Sequence, residues 1–299
     1  MNHFLDLPPE FTVPERSWAW VLPVPYESTV SYEGGTRKGP AAIIEASAQV
    51  ELYDPVFEGE PALEYGVHTL LPVPTNHASP EAMVADIARA VETCARPDRL
   101  LVVLGGEHTI SVGVARGLGR AYGETFTVVV VDAHSDLRDE YEGSRYSHAC
   151  VSRRLLDEGV DSIFQIGVRA ISREEVEFIR AHPERLRVWF ADDVHATPIE
   201  LLLADLEARL HGRRLFISLD VDGLDPSIIP ATGTPEPGGL TWPQTLAIVR
   251  TVARVARVAA VDCVELAPRP GLHMAEFAAA RLLYHTMNAI WHYRSGPHQ

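Results

Sequence analysis

The chain has 299 residues, 46% of them hydrophobic, enough for one large α/β domain with a sizeable core. A formal net charge of -15 and a pI of about 5.3 exclude a general nucleic-acid or anionic-membrane surface, which needs clustered Lys and Arg, and favour a small cationic partner. Cys94, Cys150 and Cys263 stand far apart with no CxxC pair, which fits a reducing compartment. The start MNHFLDLPPEF lacks a basic segment followed by an apolar run, and no stretch approaches the ~18 to 20 apolar residues that cross a bilayer. A soluble, cytoplasmic protein is the expectation.

In chain order, the first apolar run is WAWVLPV from Trp18, followed by a helix from Ser79, SPEAMVADIARAVETCAR, opened by a capping serine and an early proline. Strand-like runs follow at Arg99 (RLLVVLGG), Thr125 (TFTVVVVDAH) and Ser162 (SIFQIGV), then a helix from Ser172, SREEVEFIRAHPERL. Further strands are read at Arg187 (RVWFA), Arg214 (RLFISLD) and Val258 (VAAVDCVEL). Uninterrupted β-branched runs are strands buried on both faces, the mark of a parallel sheet covered by helices. No linker or composition shift breaks the alternation, so residues 1–299 are expected to form a single three-layer α/β/α domain with a central, mostly parallel sheet.

Three of the runs end in carboxylates and imidazoles. Open α/β sheets bind ligands at the carboxyl ends of their strands, where residues distant in sequence converge. Gly105-Gly106-Glu107-His108-Thr109 offers two glycines for a sharp exit and close backbone approach, then an imidazole. In Asp132-Ala133-His134-Ser135-Asp136, period-2 alternation of an extended segment sends Asp132, His134 and Asp136 to one side. Asp220-Val221-Asp222 repeats that spacing, although such a pair alone is also a cap or turn.

Two imidazoles and four carboxylates at one buried point demand cations. Six ligands exceed what one tetrahedral zinc takes, and carboxylates bridging two ions ~3.5 to 4 Å apart use them all. With no cysteine among them and oxygen in the majority, manganese is favoured over zinc, with cobalt or nickel as substitutes.

GGEHT, DAHSD and the run SLDVDGLDPSIIPATGTPEPGG from Ser218 to Gly239 resemble the three metal motifs of the ureohydrolase family, the arginases and agmatinases, in order and spacing. The resemblance covers nearly the whole chain and implies an arginase-like α/β/α fold holding two manganese ions bridged by hydroxide, the nucleophile. It assigns His108, Asp136, Asp132 and Asp220 to one ion, and His134, Asp132, Asp220 and Asp222 to the other. Glu265 resembles the family's guanidinium-binding glutamate, a role that suits a carboxylate able to accept two parallel hydrogen bonds. His148 resembles its proton shuttle, although Ala149 stands where the family often has glycine.

The segment from Leu137 to Leu156 is more like agmatinases than arginases. Its Asp139, Glu140 and Glu142 are expected to repel a substrate carboxylate and attract a remote ammonium, tempered by Arg138 and Arg145. Agmatine, giving putrescine and urea, is the first substrate expected, and aminopropylagmatine, giving spermidine, the second; arginine and guanidinobutyrate follow. A one-zinc deacylase would need fewer carboxylates, and a non-catalytic regulatory relative would be expected to lack some ligands. The resemblance also implies homo-trimers or homo-hexamers.

Overall fold

Every residue from Thr127 to Val131 is β-branched, and in the computed structural model, which describes residues 3–294, this run is a fully buried strand. Val128 and Val130 enter one apolar core and Val129 and Val131 another, because successive side chains leave opposite faces. The same holds along the sheet, formed by β1 (Ala19–Val24), β2 (Val67–Thr69), β3 (Leu100–Gly105), β4 (Thr127–Val131), β5 (Ile163–Val168), β6 (Leu186–Phe190), β7 (Arg214–Asp220) and β8 (Arg257–Val264). Their order is β2-β1-β3-β8-β7-β4-β5-β6 and every pairing is parallel.

Parallel neighbours need crossovers, and helices supply them on both faces. Helices Gly39–Ser47, Ile199–Leu210, Trp242–Val255 and His273–Tyr293 bury their apolar sides against one face of the sheet. Pro80–Cys94, Ile110–Tyr122, Val151–Asp157 and Arg173–Ala181 cover the other. The result is the three-layer α/β/α architecture expected.

Two local expectations change. The helix read from Ser172 onward opens with a capping box between Ser172 and Glu175, but stops at Ala181. Pro183 disfavours helical geometry at the residue before it, and His182 leaves the helix with φ -131° and ψ 49°. The three-residue edge strand β2 carries no apolar run long enough to mark it.

No helix of the described residues is long and apolar enough to cross a membrane. The topology places the chemistry: β3, β8, β7 and β4 are neighbours in the middle of the sheet, so their carboxyl ends open on one edge.

Candidate metal centre

His108 leaves β3 through Gly105 and Gly106. A side chain at Gly106 would place its Cβ 1.9 Å from the carbonyl oxygen of Tyr26, so only glycine permits this path. The neighbouring Glu107 is fully buried and ties down another segment. Its carboxylate accepts the backbone N–H of Ser28 at 2.6 Å and of Thr29 at 2.7 Å, and the Thr29 hydroxyl at 2.9 Å.

Asp132, His134 and Asp136 do converge, but not through extended alternation. The strand ends at Val131, and Asp136 takes a left-handed φ of 52° that turns its carboxylate back toward the others. Asp220 and Asp222 likewise meet through a turn: Asp220 ends β7 and caps the short 3-10 helix Val221–Gly223, its Oδ1 accepting the Asp222 N–H at 2.9 Å. The capping role and the outward-facing second oxygen coexist in one carboxylate.

The His108 Nδ1 stands 3.2 Å from Asp132 Oδ2, 3.2 Å from Asp136 Oδ2 and 3.3 Å from Asp220 Oδ2. It is buried and makes no hydrogen bond. The His134 Nδ1 lies 3.1 Å from Asp222 Oδ2 and 3.6 Å from Asp132 Oδ1. His108, Asp132 and Asp136 form one group with metal-ligand spacing, and Asp132, His134 and Asp222 a second. Asp132 therefore belongs to both, one oxygen toward each, while Asp220 approaches the first group.

Electrostatics argue the same way. Burial pushes the Asp136 carboxyl up to about 7, with the charge of Asp132 adding to it. Burial, then Asp222 and Asp132, hold Asp220 well above the usual carboxylate range. Although burial opposes it, the imidazoles of His108 and His134 beside it hold Asp132 below that range. Burial likewise opposes protonation of His134, yet Asp222 and Asp132 push that imidazole up to about 12. Carboxylates packed this closely cannot all ionise unless cations offset them, and the orphaned His108 nitrogen aimed at three carboxylate oxygens has the chemistry of a ligand. The residues present fit a pair of divalent ions.

Behind His108 lies a support outside the expected ligand set. The other ring nitrogen, Nε2, is 3.0 Å from the Ser218 hydroxyl, which donates to Asp262 Oδ1 at 2.7 Å; Ser111 donates to Asp262 Oδ2 at 2.5 Å. This chain fixes the ring so that Nδ1 faces the carboxylates, as supporting hydrogen bonds do around metal-binding histidines. The signal was present: Asp262 is a charge inside the apolar run VAAVDCVEL, and burial raises it to about 6.

Glu265 follows β8 with a left-handed φ of 64°, lines the same cleft and is 8% exposed. Its Oε1 accepts the His108 N–H at 2.6 Å, and burial holds it well above the carboxylate range. Of the six described non-glycine residues with positive φ, two line the cleft, Asp136 and Glu265, and both are acids.

His148 also lines the cleft. Its Nδ1 is 3.3 Å from the Thr29 hydroxyl and its Nε2 3.3 Å from that of Ser31, and burial pushes the imidazole down to about 4. The segment organised by Glu107 is thus what cradles His148.

The acids of the 139–142 loop do not face the cleft, contrary to expectation. Asp139 is held by Arg154 at 2.5 Å and Arg145 at 3.0 Å, and Glu140 and Glu142 are exposed; none of the three lines the cleft. The acids that do so beyond the metal cluster are Glu33, Glu175, Glu236 and Glu265, of which only Glu265 was singled out in the sequence.

Residues 18–288 match the arginase family. The N(1)-aminopropylagmatine ureohydrolase of Synechocystis is 36% identical over 296 residues, covering 96% of this chain and 95% of that relative. Its counterpart in Thermus thermophilus is 38% identical over 275 residues, 91% of this chain and 90% of the other. The solved agmatine ureohydrolase of Thermoplasma volcanium superposes with a TM-score of 0.84 at 28% identity, covering 99% of this chain and 97% of that one. The fold, the paired clusters at its strand ends and these likenesses agree: the chain belongs to the arginase family.

Proposed function

We propose that this protein is a dinuclear manganese amidinohydrolase, working as one catalytic unit in the cytoplasm, that releases urea from aminopropylagmatine and leaves spermidine. The observation that carries the reaction is the Asp132 carboxylate, divided between two ligand groups whose His108, His134, Asp136 and Asp222 line a cleft together with Glu265 and His148. His108, Asp132, Asp136 and Asp220 would hold one ion, and His134, Asp132, Asp220 and Asp222 the other. When bound, two such ions supply Lewis acidity and lower the pKa of a shared water toward neutrality.

The chain's own residues do the rest. Glu265 keeps one oxygen on the His108 N–H and offers the other to the guanidinium, which places the carbon over the centre. Water adds to that carbon, the bond to the alkyl nitrogen breaks, and the departing amine takes a proton. His148, steadied by the hydroxyls of Thr29 and Ser31, is placed to pass that proton.

The ordering of substrates is revised. The sequence alone favours agmatine, whereas relatives at 36% and 38% identity are named for aminopropylagmatine. Agmatine, the substrate named for the Thermoplasma enzyme, becomes the second reading. Homo-trimers or homo-hexamers remain our expectation.

Urea release by manganese-loaded protein, ranked by kcat/KM across aminopropylagmatine, agmatine, arginine and guanidinobutyrate, tests this. Aminopropylagmatine should lead, with about two ions per chain. A preference for arginine, or a metal content near one, would overturn it.

A further inference from the structure

Beyond the metal cluster, the cleft holds an acid that nothing among the described residues answers. Of the four acids there, Glu265 is engaged by His108, Glu175 accepts the N–H groups of Leu137 at 2.9 Å and Ser172 at 2.7 Å, and Glu33 pairs with Arg269 at 2.9 Å. The half-buried Glu236 makes no side-chain hydrogen bond or ion pair among the described residues.

Its backbone, by contrast, is clamped. Arg169 Nη2 donates to the carbonyl of Glu236 at 2.8 Å and to that of Asp222 at 2.6 Å, while Nε donates to Pro237 at 3.1 Å and Nη1 to Gly167 at 3.1 Å. A guanidinium is a rigid fork, so one side chain locks the Glu236 turn to the turn that presents Asp222. Glu236 is thereby a free carboxylate on a fixed mount, set at a constant place relative to the base of the cleft. Arg138, the one Lys or Arg among the described residues that line the cleft, has its guanidinium over the Tyr141 ring, 5.1 Å from the centroid.

A free carboxylate on a fixed mount discriminates among ligands by charge. It gains a charge-assisted hydrogen bond from an ammonium and repels a carboxylate. We propose that Glu236 is a specificity-determining residue that reads the first ammonium beyond the guanidinium of the substrate, and that Arg169 is the positioning residue that holds it there. This rests on the amidinohydrolase reading above, and it replaces the 139–142 loop as the source of preference for a cationic tail.

The test compares kcat/KM of wild type, E236Q, R169K and the double variant on three guanidines of similar length: agmatine with an ammonium tail, butylguanidine with a neutral one and guanidinobutyrate with an anionic one. In E236Q the agmatine to butylguanidine ratio should fall about 10- to 100-fold, and the guanidinobutyrate to butylguanidine ratio should rise. In R169K the first ratio should also fall, chiefly through KM, and the double variant should fall no further than E236Q. A wild-type ratio retained in E236Q overturns the assignment of Glu236, and one retained in R169K overturns that of Arg169. These ratios cancel any loss of folded enzyme common to all substrates. Wild-type protein that prefers guanidinobutyrate, or releases no urea from any guanidine, overturns the underlying reading instead, since that result needs no variant.

Discussion

His148 shows how far one side chain depends on its surroundings. An imidazole free in water titrates near neutrality, but burial in the cleft pushes this one down to about 4, and three hydroxyls, of Thr29, Ser31 and Ser147, lie 3.3 Å from its nitrogens. A ring so held is oriented to hand on a proton. Asparagine keeps a polar group of comparable reach but cannot carry that proton. His148→Asn should lower kcat by roughly 10² to 10⁴-fold while metal content, read by elemental analysis, stays at the wild-type level. Wild-type turnover in the variant would remove His148 from the mechanism. Two of the three residues that supply these hydroxyls, Thr29 and Ser31, come from segment 28–31, which carries no recognisable chemical motif; its importance follows from the buried carboxylate of Glu107 that binds it.

Among the elements, the exits of the strands matter more than the strands. At the end of β3 the backbone passes so close to Tyr26 that a Cβ on Gly106 would lie 1.9 Å from its carbonyl oxygen, and neither backbone can yield without moving β1 or His108. Gly119, inside helix Ile110–Tyr122, has nothing within 4 Å of the same position. The two glycines therefore predict opposite outcomes. Gly106→Ala should cost at least ~3 kcal/mol of stability and displace His108, whereas Gly119→Ala should stabilise by roughly 0.5 to 1 kcal/mol. Denaturant midpoints of the two variants decide it, and similar midpoints would refute the close approach.

Across the molecule, the long C-terminal helix His273–Tyr293 is tied to the segment after the first helix by a buried polar knot. Asp54 Oδ2 lies 3.1 Å from His285 Nδ1 and accepts from Asn288 at 3.1 Å, and Tyr65 donates to Asn288 at 3.0 Å. Burial raises the Asp54 carboxyl, but these partners and the Val56 N–H outweigh it and bring it to about 2. A depressed carboxyl contributes stability that is fully present above its unfolded pKa of about 3.9 and lost as pH falls through the folded value. Wild-type protein should thus lose on the order of 1 kcal/mol between pH ~4 and ~2 through this group. Asp54→Asn, less stable at neutral pH, should lack that component of the acid limb. Urea midpoints measured across that range test it, and identical pH slopes for both proteins would show that the knot does not titrate.

The positions of the candidate ligands were legible because a doubly buried β-branched run can only be an inner strand of a helix-covered sheet, and parallel strands release their ends on one edge. His108, Asp132, His134, Asp136, Asp220, Asp222 and Glu265 all follow such runs. Only the tertiary structure decided how they meet. Strands third, eighth, seventh and fourth in the chain lie side by side, and left-handed turns at Asp136 and Glu265 replace simple alternation. It also decided which acids face the cleft. A charge in a loop points where its partner lies, and those partners are distant in sequence or on another element: Asp139 turns to Arg154 and away from the cleft, while Arg169 pins the Glu236 turn beside Asp222 and leaves the Glu236 carboxylate free.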